Sequence, residues 1–260
     1  MLYYPTAKLW APDKIANCVL WLDANDLSTI AVDSNNLVSA WNSKVGNFTA
    51  IQNTAANQPI LTQYLQNRNT ITFDGVNDFL RIVSSAFPTT FFTTNFTIAV
   101  SVTFTRLLTG SGQQNIITKR TTASPTNGVI FADLGSSNNF GVDWGGFATR
   151  INLTKALLNS NTTYLLSRNN SERKVFRNGL KSVHSAGVVN PNTTSNLFIG
   201  CTENQANFLQ GNINEIIMYQ SFLSDAELEK LAGYLHWKWL NPDILPIGND
   251  YRERVPKLIN

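Results

Sequence analysis

Residues 211–240 read GNINEIIMYQSFLSDAELEKLAGYLHWKWL, and this stretch decides the fold. Asn212 to Gln220 reads as a long β-strand, followed by a short corner and a well-signalled helix. Ser224 is a good N-cap, and Glu227 completes a capping box, in which each side chain satisfies a backbone N–H left free by the first helical turn. Leu223 before the cap and Leu228 after it are spaced for a hydrophobic staple. Leu228, Leu231, Ala232, Leu235 and Trp239 then recur at helical spacing as one apolar stripe. Pro242 stops the helix from beyond its last turn, since it cannot donate a backbone hydrogen bond. Trp237 falls off the stripe; it either packs under the C-terminal tail or sits at a contact surface.

Outward from this helix the chain reads as all-β. Asn95 to Phe104 alternates strictly: Phe96, Ile98, Val100, Val102 and Phe104 against Thr97, Ala99, Ser101 and Thr103, which predicts a half-buried antiparallel strand. Upstream, Cys18–Asp23 and Leu37–Trp41 are strands, and residues 42–70 form a long irregular connection. Ile71–Phe73 and Phe79–Val83 bracket Asp74-Gly75-Val76-Asn77-Asp78, which reads first as a hairpin turn and second as a cation or ligand loop. Downstream come Asn115–Lys119, Gly128–Leu134, Asn139–Trp144, Tyr164–Ser167 and Lys174–Arg177. Asn178-Gly179 is a two-residue hairpin signal leading into Leu180–His184, and Asn196–Gly200 and Asn212–Gln220 complete the set. Many strands and one late helix describe a two-sheet antiparallel sandwich: one domain over 13–240, with an arm at 1–12 and a tail at 241–260.

Charged residues are only 14% of the 260, and a scattered net charge of +3 argues against a nucleic-acid partner. The basic cluster from Arg168 to Lys181 reads as a solvated edge. No apolar run approaches a membrane span, so no membrane insertion is expected, and Met1 to Pro5 lacks the pattern of a secretion signal. Cys18 and Cys201 are expected to be buried free thiols, although strands near opposite chain ends could also bring them into a bridge.

The strand sequences resemble a family. LWLDAND (20–26), Val38 to Trp41 and ITFDGVNDFL (71–80) resemble the opening of laminin-G-like jelly rolls in the concanavalin A-like lectin/glucanase superfamily. VFRNG (175–179), LFIG (197–200), GNINEIIMY (211–219) and the LSDAE helix start resemble its closing half. The resemblance implies a jelly-roll sandwich with one C-terminal helix, of a kind found on bacteriophage and other virus particles and in bacterial surface proteins. It does not imply one activity, because this fold hosts lectins, glycosidases and adhesion modules alike.

A retaining glucanase on such a scaffold needs paired carboxylates about 5 Å apart. The matching strand offers Glu215 alone, with Ile213 and Ile217 where further acids would stand on the same face, so Glu215 is expected to be structural, bonding a neighbouring loop. His184 and His236 are the only histidines and come with no nucleophile elbow; no zinc cluster, P-loop or dinucleotide motif is present. The protein is therefore expected not to be an enzyme and to need no cofactor, with calcium on Asp74, Asp78, Asp133 or Asp143 as the one candidate metal. For carbohydrate, Asn139, Asp143, Trp144 and Phe147 combine stacking rings with hydroxyl-bonding groups beside glycines; the competing reading puts Trp144 in the core.

The leading expectation is a virion structural protein, decorating a capsid or part of a tail fibre. Its partners would be itself or other virion proteins, with cell-surface glycans as further contacts. Leu2, Tyr3, Tyr4, Trp10 and Trp237 would make the assembly contact. The alternative is a carbohydrate-binding module of a bacterial surface or secreted protein.

Overall fold

A computed structural model describes residues 10–64, 67–87, 92, 95–108, 112–120, 128–135, 139–144, 150–154, 156–185, 194–239 and 242–257, with residues 128, 130, 139, 143 and 144 described by backbone alone. Two antiparallel sheets form a sandwich. The first contains β1 (Cys18–Asp23), β5 (Ile60–Tyr64), β6 (Arg68–Asp74), β8 (Phe96–Phe104), β13 (Asn161–Arg168), β14 (Glu172–Arg177), β15 (Leu180–Ser185) and β17 (Gln210–Tyr219). Its order is β15-β14-β13-β8-β17-β6-β5, with β1 paired to the later half of β17. The second contains β2 (Ile30–Val32), β3 (Val38–Asn42), β4 (Thr49–Ile51), β7 (Leu80–Ile82), β9 (Gln113–Arg120), β10 (Gly128–Leu134), β11 (Asn139–Trp144), β12 (Ile151–Thr154) and β16 (Leu197–Ile199). These lie in the order β12-β11-β10-β9-β16-β7-β4-β3-β2.

The one α-helix among the described residues, α1 (Asp225–Lys238), begins as its sequence predicts: Glu227 N–H donates to Ser224 Oγ at 3.3 Å and Ser224 N–H to Glu227 Oε2 at 2.8 Å. Its apolar stripe lies on the outer face of the first sheet. Among the described residues two large cores result, one between the sheets (Trp41, Phe73, Ile98, Val100, Phe131, Ile216) and one beneath the helix (Leu165, Ile217, Tyr219, Leu228, Leu231, Leu235, Trp239). This layering corrects the reading of β8 as half-buried: all nine of its residues are buried. Ala99 lies in the helix-side core, while Thr97 donates to Ser221 O at 2.8 Å and Ser101 to Asn161 Oδ1 at 2.8 Å.

Other expectations change for similar reasons. The segment 42–70 is not irregular throughout but supplies β4, β5 and the start of β6. Asp74 to Asp78 does not close a hairpin, because β6 pairs with β17 and β5 in one sheet while β7 pairs with β16 and β4 in the other. It is a corner between sheets, where Asp74 Oδ1 accepts from Val76 N–H at 2.8 Å and Asp78 Oδ2 from Asp74 N–H at 2.9 Å. Asn178-Gly179 does close a hairpin, with φ of 49° and 79°. Within the basic cluster, Arg168 and Arg173 are buried partners in the register of β13 and β14 rather than a solvated edge, and Lys174 and Lys181 both meet Asp225. Both cysteines are free, Cys18 half-buried in β1 and Cys201 buried after β16.

Candidate functional site

Two places gather the chemistry that the sequence singles out. One is the nine-stranded sheet around β11. Register alone sorts the expected carbohydrate residues: Asp143 stands opposite Ile130, Ile130 opposite Thr118, Thr118 opposite Phe198 and Phe198 opposite Arg81. The alternate row joins Val142, Phe131, Ile117, Ile199 and Leu80, all buried in the inter-sheet core. Trp144 is two positions from Val142 and opposite buried Val129, so its strand position belongs with the core row and Asp143's with the outer one. Asn139 begins the strand and Trp144 ends it, about 17 Å apart at the usual strand rise. The expected grouping is therefore not brought to one spot by the strand. Phe147 lies outside the described residues, as do the side chains of Asn139, Asp143 and Trp144.

Sequence reasoning missed what borders this outer row. Arg120 Nε lies 2.8 Å from both carboxylate oxygens of Glu203, and Phe79, Phe198 and Cys201 form a small apolar cluster with Phe208 against it. Residues 83 positions apart make the Arg120–Glu203 contact, so no local signal announces it. Asp133, one of the candidate calcium ligands, instead accepts from Gln114 Nε2 at 2.9 Å. Burial pushes the Asp78 carboxyl up to about 6. Among the described residues, no group of three or more His, Cys, Asp or Glu side chains converges as a metal site.

The other place is the floor beneath α1. Glu215 does not bond a loop, as the sequence suggests. It is fully buried, and its Oε1 accepts from Trp21 Nε1 at 2.5 Å and Tyr234 OH at 2.9 Å. Its Oε2 accepts from Trp239 Nε1 at 2.8 Å and pairs with Lys238 Nζ at 2.9 Å. Lys238 reaches on to Asp23 Oδ1 at 2.7 Å, and Asp23 Oδ2 meets Lys44 at 3.1 Å. Burial pushes the Glu215 carboxyl up, and Lys238 and Trp239 pull it back. A register shift at Asn214 turns Ile213 into the inter-sheet core, so Ile213 and Glu215 do not share a face as strict alternation predicts. The network joins two strands and the helix, with every oxygen of Glu215 engaged. His236 meets Thr163 Oγ1 at 2.8 Å under the same helix, while His184 lies on β15, so no triad forms from them.

The expected assembly residues divide. Leu2, Tyr3 and Tyr4 lie outside the described residues. Trp10 is buried against its own chain, its ring edge-on to Tyr234 at 5.9 Å, and its backbone N–H donates to Pro256 O at 3.0 Å. Trp237 remains half-buried, and its Nε1 donates to Tyr251 O of the C-terminal tail at 2.6 Å.

No family model matches this sequence, and no curated protein matches it. Solved structures do. A Trypanosoma rangeli sialidase in complex with sialic acid matches at 14% identity and a TM-score of 0.63, over 91% of this chain and 36% of the sialidase. The chain thus spans about a third of the length of that enzyme. Domain 4 of AbnA, an extracellular arabinanase from Geobacillus stearothermophilus solved with arabinotriose, matches at 14% identity and a TM-score of 0.58, over 83% of this chain and 98% of the domain. The binding domain of botulinum neurotoxin DC, solved with rat synaptotagmin II, matches at 10% identity and a TM-score of 0.56, over 84% of this chain and 52% of that one. At these identities the likeness shows the fold alone, a two-sheet antiparallel β-sandwich. It also corrects the expectation that the chain is not an enzyme, since the matches include a sialidase and a domain of an arabinanase. No described helix is long and apolar enough to cross a membrane.

Proposed function

We propose that this chain is a glycan-binding module acting outside the cell or at a cell surface. One observation carries the reading: the chain matches nearly the whole of a separate domain, 98% of it, whose structure was solved with arabinotriose. The ligand face we assign is the outer row of the nine-stranded sheet at β11 together with Phe147. Asn139 and Asp143 would bond sugar hydroxyls there, and Phe147 would stack on the apolar face of a ring. Trp144 is the fourth candidate, and its variant decides between ligand and core. A role on a virus particle, in capsid decoration or a tail fibre, rests on sequence resemblance alone and ranks second.

The test is binding of the purified chain to a glycan array that includes arabino-oligosaccharides and cell-wall polysaccharides, with calcium present or chelated. Specific binding that Asp143→Ala abolishes at unchanged Tm is the expected result. Trp144→Ala should lower Tm sharply if it is core; loss of binding at unchanged Tm would instead make it a sugar platform. Failure to bind any glycan under either condition would remove the reading.

A further inference from the structure

The C-terminal tail and α1 border a half-open cavity of about 370 Å³, lined among the described residues by Lys230, Tyr251, Arg254, Val255 and Lys257, none of which belongs to the strands assigned above. Its wall is anchored on several sides. Trp237 Nε1 holds Tyr251 O at 2.6 Å, and the Tyr251 ring lies so close to Gly233 that a Cβ there would stand 2.4 Å from Tyr251 Cβ. Pro256 O accepts from Trp10 N–H at 3.0 Å, and Arg252 Nη1 donates to Leu245 O. A tail tied down at residues 251, 252 and 256 is a built wall rather than a loose end.

The chemistry of the lining is one-sided. Among the described residues it holds three cations and no carboxylate. Arg254 is shared with Asp250 at 2.8 Å, both side chains being about two-thirds exposed, a pairing that water and salt weaken readily. Lys230 and Lys257 make no ion pair among the described residues; the Lys230 ammonium lies 5.0 Å from the Trp10 ring, which leaves its hydrogen-bond donors unspent. The half-buried Tyr251 lines the same cavity, with Arg254 5.8 Å from its ring centroid. Cations around an aromatic face suit an anion carried on a body that can stack: the ring covers the apolar side, and ammonium groups take the oxyanion in charge-assisted hydrogen bonds. Glu229 and Asp250 act on Tyr251 from nearby but do not line the cavity, so they would bias it against dianions more than against a single carboxylate.

We propose that this cavity binds a carboxylate-bearing saccharide, with the sugar ring on Tyr251 and the carboxylate between Lys230 and Lys257. The sugar body of the ligand rests on the glycan-binding reading; the anionic requirement rests on the cavity itself. The experiment is calorimetric titration of the full chain with a short oligogalacturonide, its neutral oligogalactoside counterpart and inorganic phosphate. The wild-type chain should bind the acidic oligomer at least tenfold more tightly than the neutral one, and less tightly as salt rises. Lys230→Gln with Lys257→Gln should weaken acidic binding by about tenfold or more with little change in Tm, since Lys257 is exposed and the half-buried Lys230 makes no ion pair among the described residues. Acidic and neutral oligomers binding alike, phosphate competing at equal affinity, or the double variant binding as wild type would each overturn the proposal. Neutral glycan binding sensitive to Asp143→Ala would meanwhile leave the reading of the β11 face standing, so the two ideas fail separately.

Discussion

Replacing Glu215 by Gln changes one oxygen to NH2 at a site with no solvent access. The carboxylate serves the two indole N–H groups of Trp21 and Trp239, the Tyr234 hydroxyl and the Lys238 ammonium. Glutamine keeps one acceptor. Its best orientation turns the oxygen toward Trp239 and Lys238 and the amide toward Tyr234, whose hydroxyl can accept. Trp21 N–H is then left facing a donor, which costs about 1–3 kcal/mol for a buried unsatisfied group. Lys238 keeps Asp23 at 2.7 Å but loses its second counter-charge. Together these put the loss near the 3–5 kcal/mol expected for breaking a buried pair, or roughly 6–20 °C in Tm for a domain of this size. Calorimetry and urea titration of Glu215→Gln, Lys238→Met and the double variant would measure it, and the double should be less destabilised than the two singles summed. A Glu215→Gln protein melting within about 2 °C of wild type would refute the idea that this network clamps α1 to the sheet. If the chain proves to have glycanase activity, the same variant should lose it only as far as it unfolds, because Glu215 is sealed from any substrate.

Three further outcomes follow from local geometry. Asp78 keeps its proton in the fold up to about pH 6, while the unfolded chain releases it near the ordinary carboxylate value; stability should therefore fall as pH rises from about 4 to 6, and Asp78→Asn, which retains an oxygen for Asp74 N–H, should flatten that slope in pH-dependent denaturation. Ser224→Ala removes the cap on α1 and should cost about 1 kcal/mol, with no measurable loss showing the box to be solvated decoration. Gly233→Ala gains helix propensity of about 1 kcal/mol but drives a methyl into Tyr251, so it should release the tail to limited proteolysis and lower Tm; a more stable, equally resistant protein would show that the tail adjusts freely.

The sequence made legible whatever depends on neighbours in the chain. The capping box, the apolar stripe of α1, the Asn178-Gly179 hairpin and strands such as Cys18–Asp23, Gly128–Leu134 and Asn139–Trp144 all stand where local pattern puts them. Errors begin where a residue's surroundings come from elsewhere. Alternation of polar and apolar residues in β8 correctly separates its two faces, yet says nothing of a helix laid across the polar one, so a fully buried strand looks half-exposed. Asp74-Gly75 has turn chemistry whether the chain returns to its own sheet or crosses to the other, and only the partners of β6 and β7 distinguish them.

The same division governs function. Glu215 is conspicuous in sequence as a lone acid, and its meaning lies with Trp21, Lys238 and Asp23, which stand 194, 23 and 192 positions from it in the chain and are brought beside it by the β1–β17 pairing and the helix. A solitary buried carboxylate would be expensive in this fold; held by indoles, a hydroxyl and an ammonium, it becomes a fixed point for the helix. The cationic cavity is equally unreadable from its residues, since Lys230 looks like any helix lysine until the tail brings Tyr251 and Lys257 beside it. Fold in this chain is written locally along strands and helix, whereas its sites are made by the tail, the helix and the sheet faces meeting, and that is where variants should be placed.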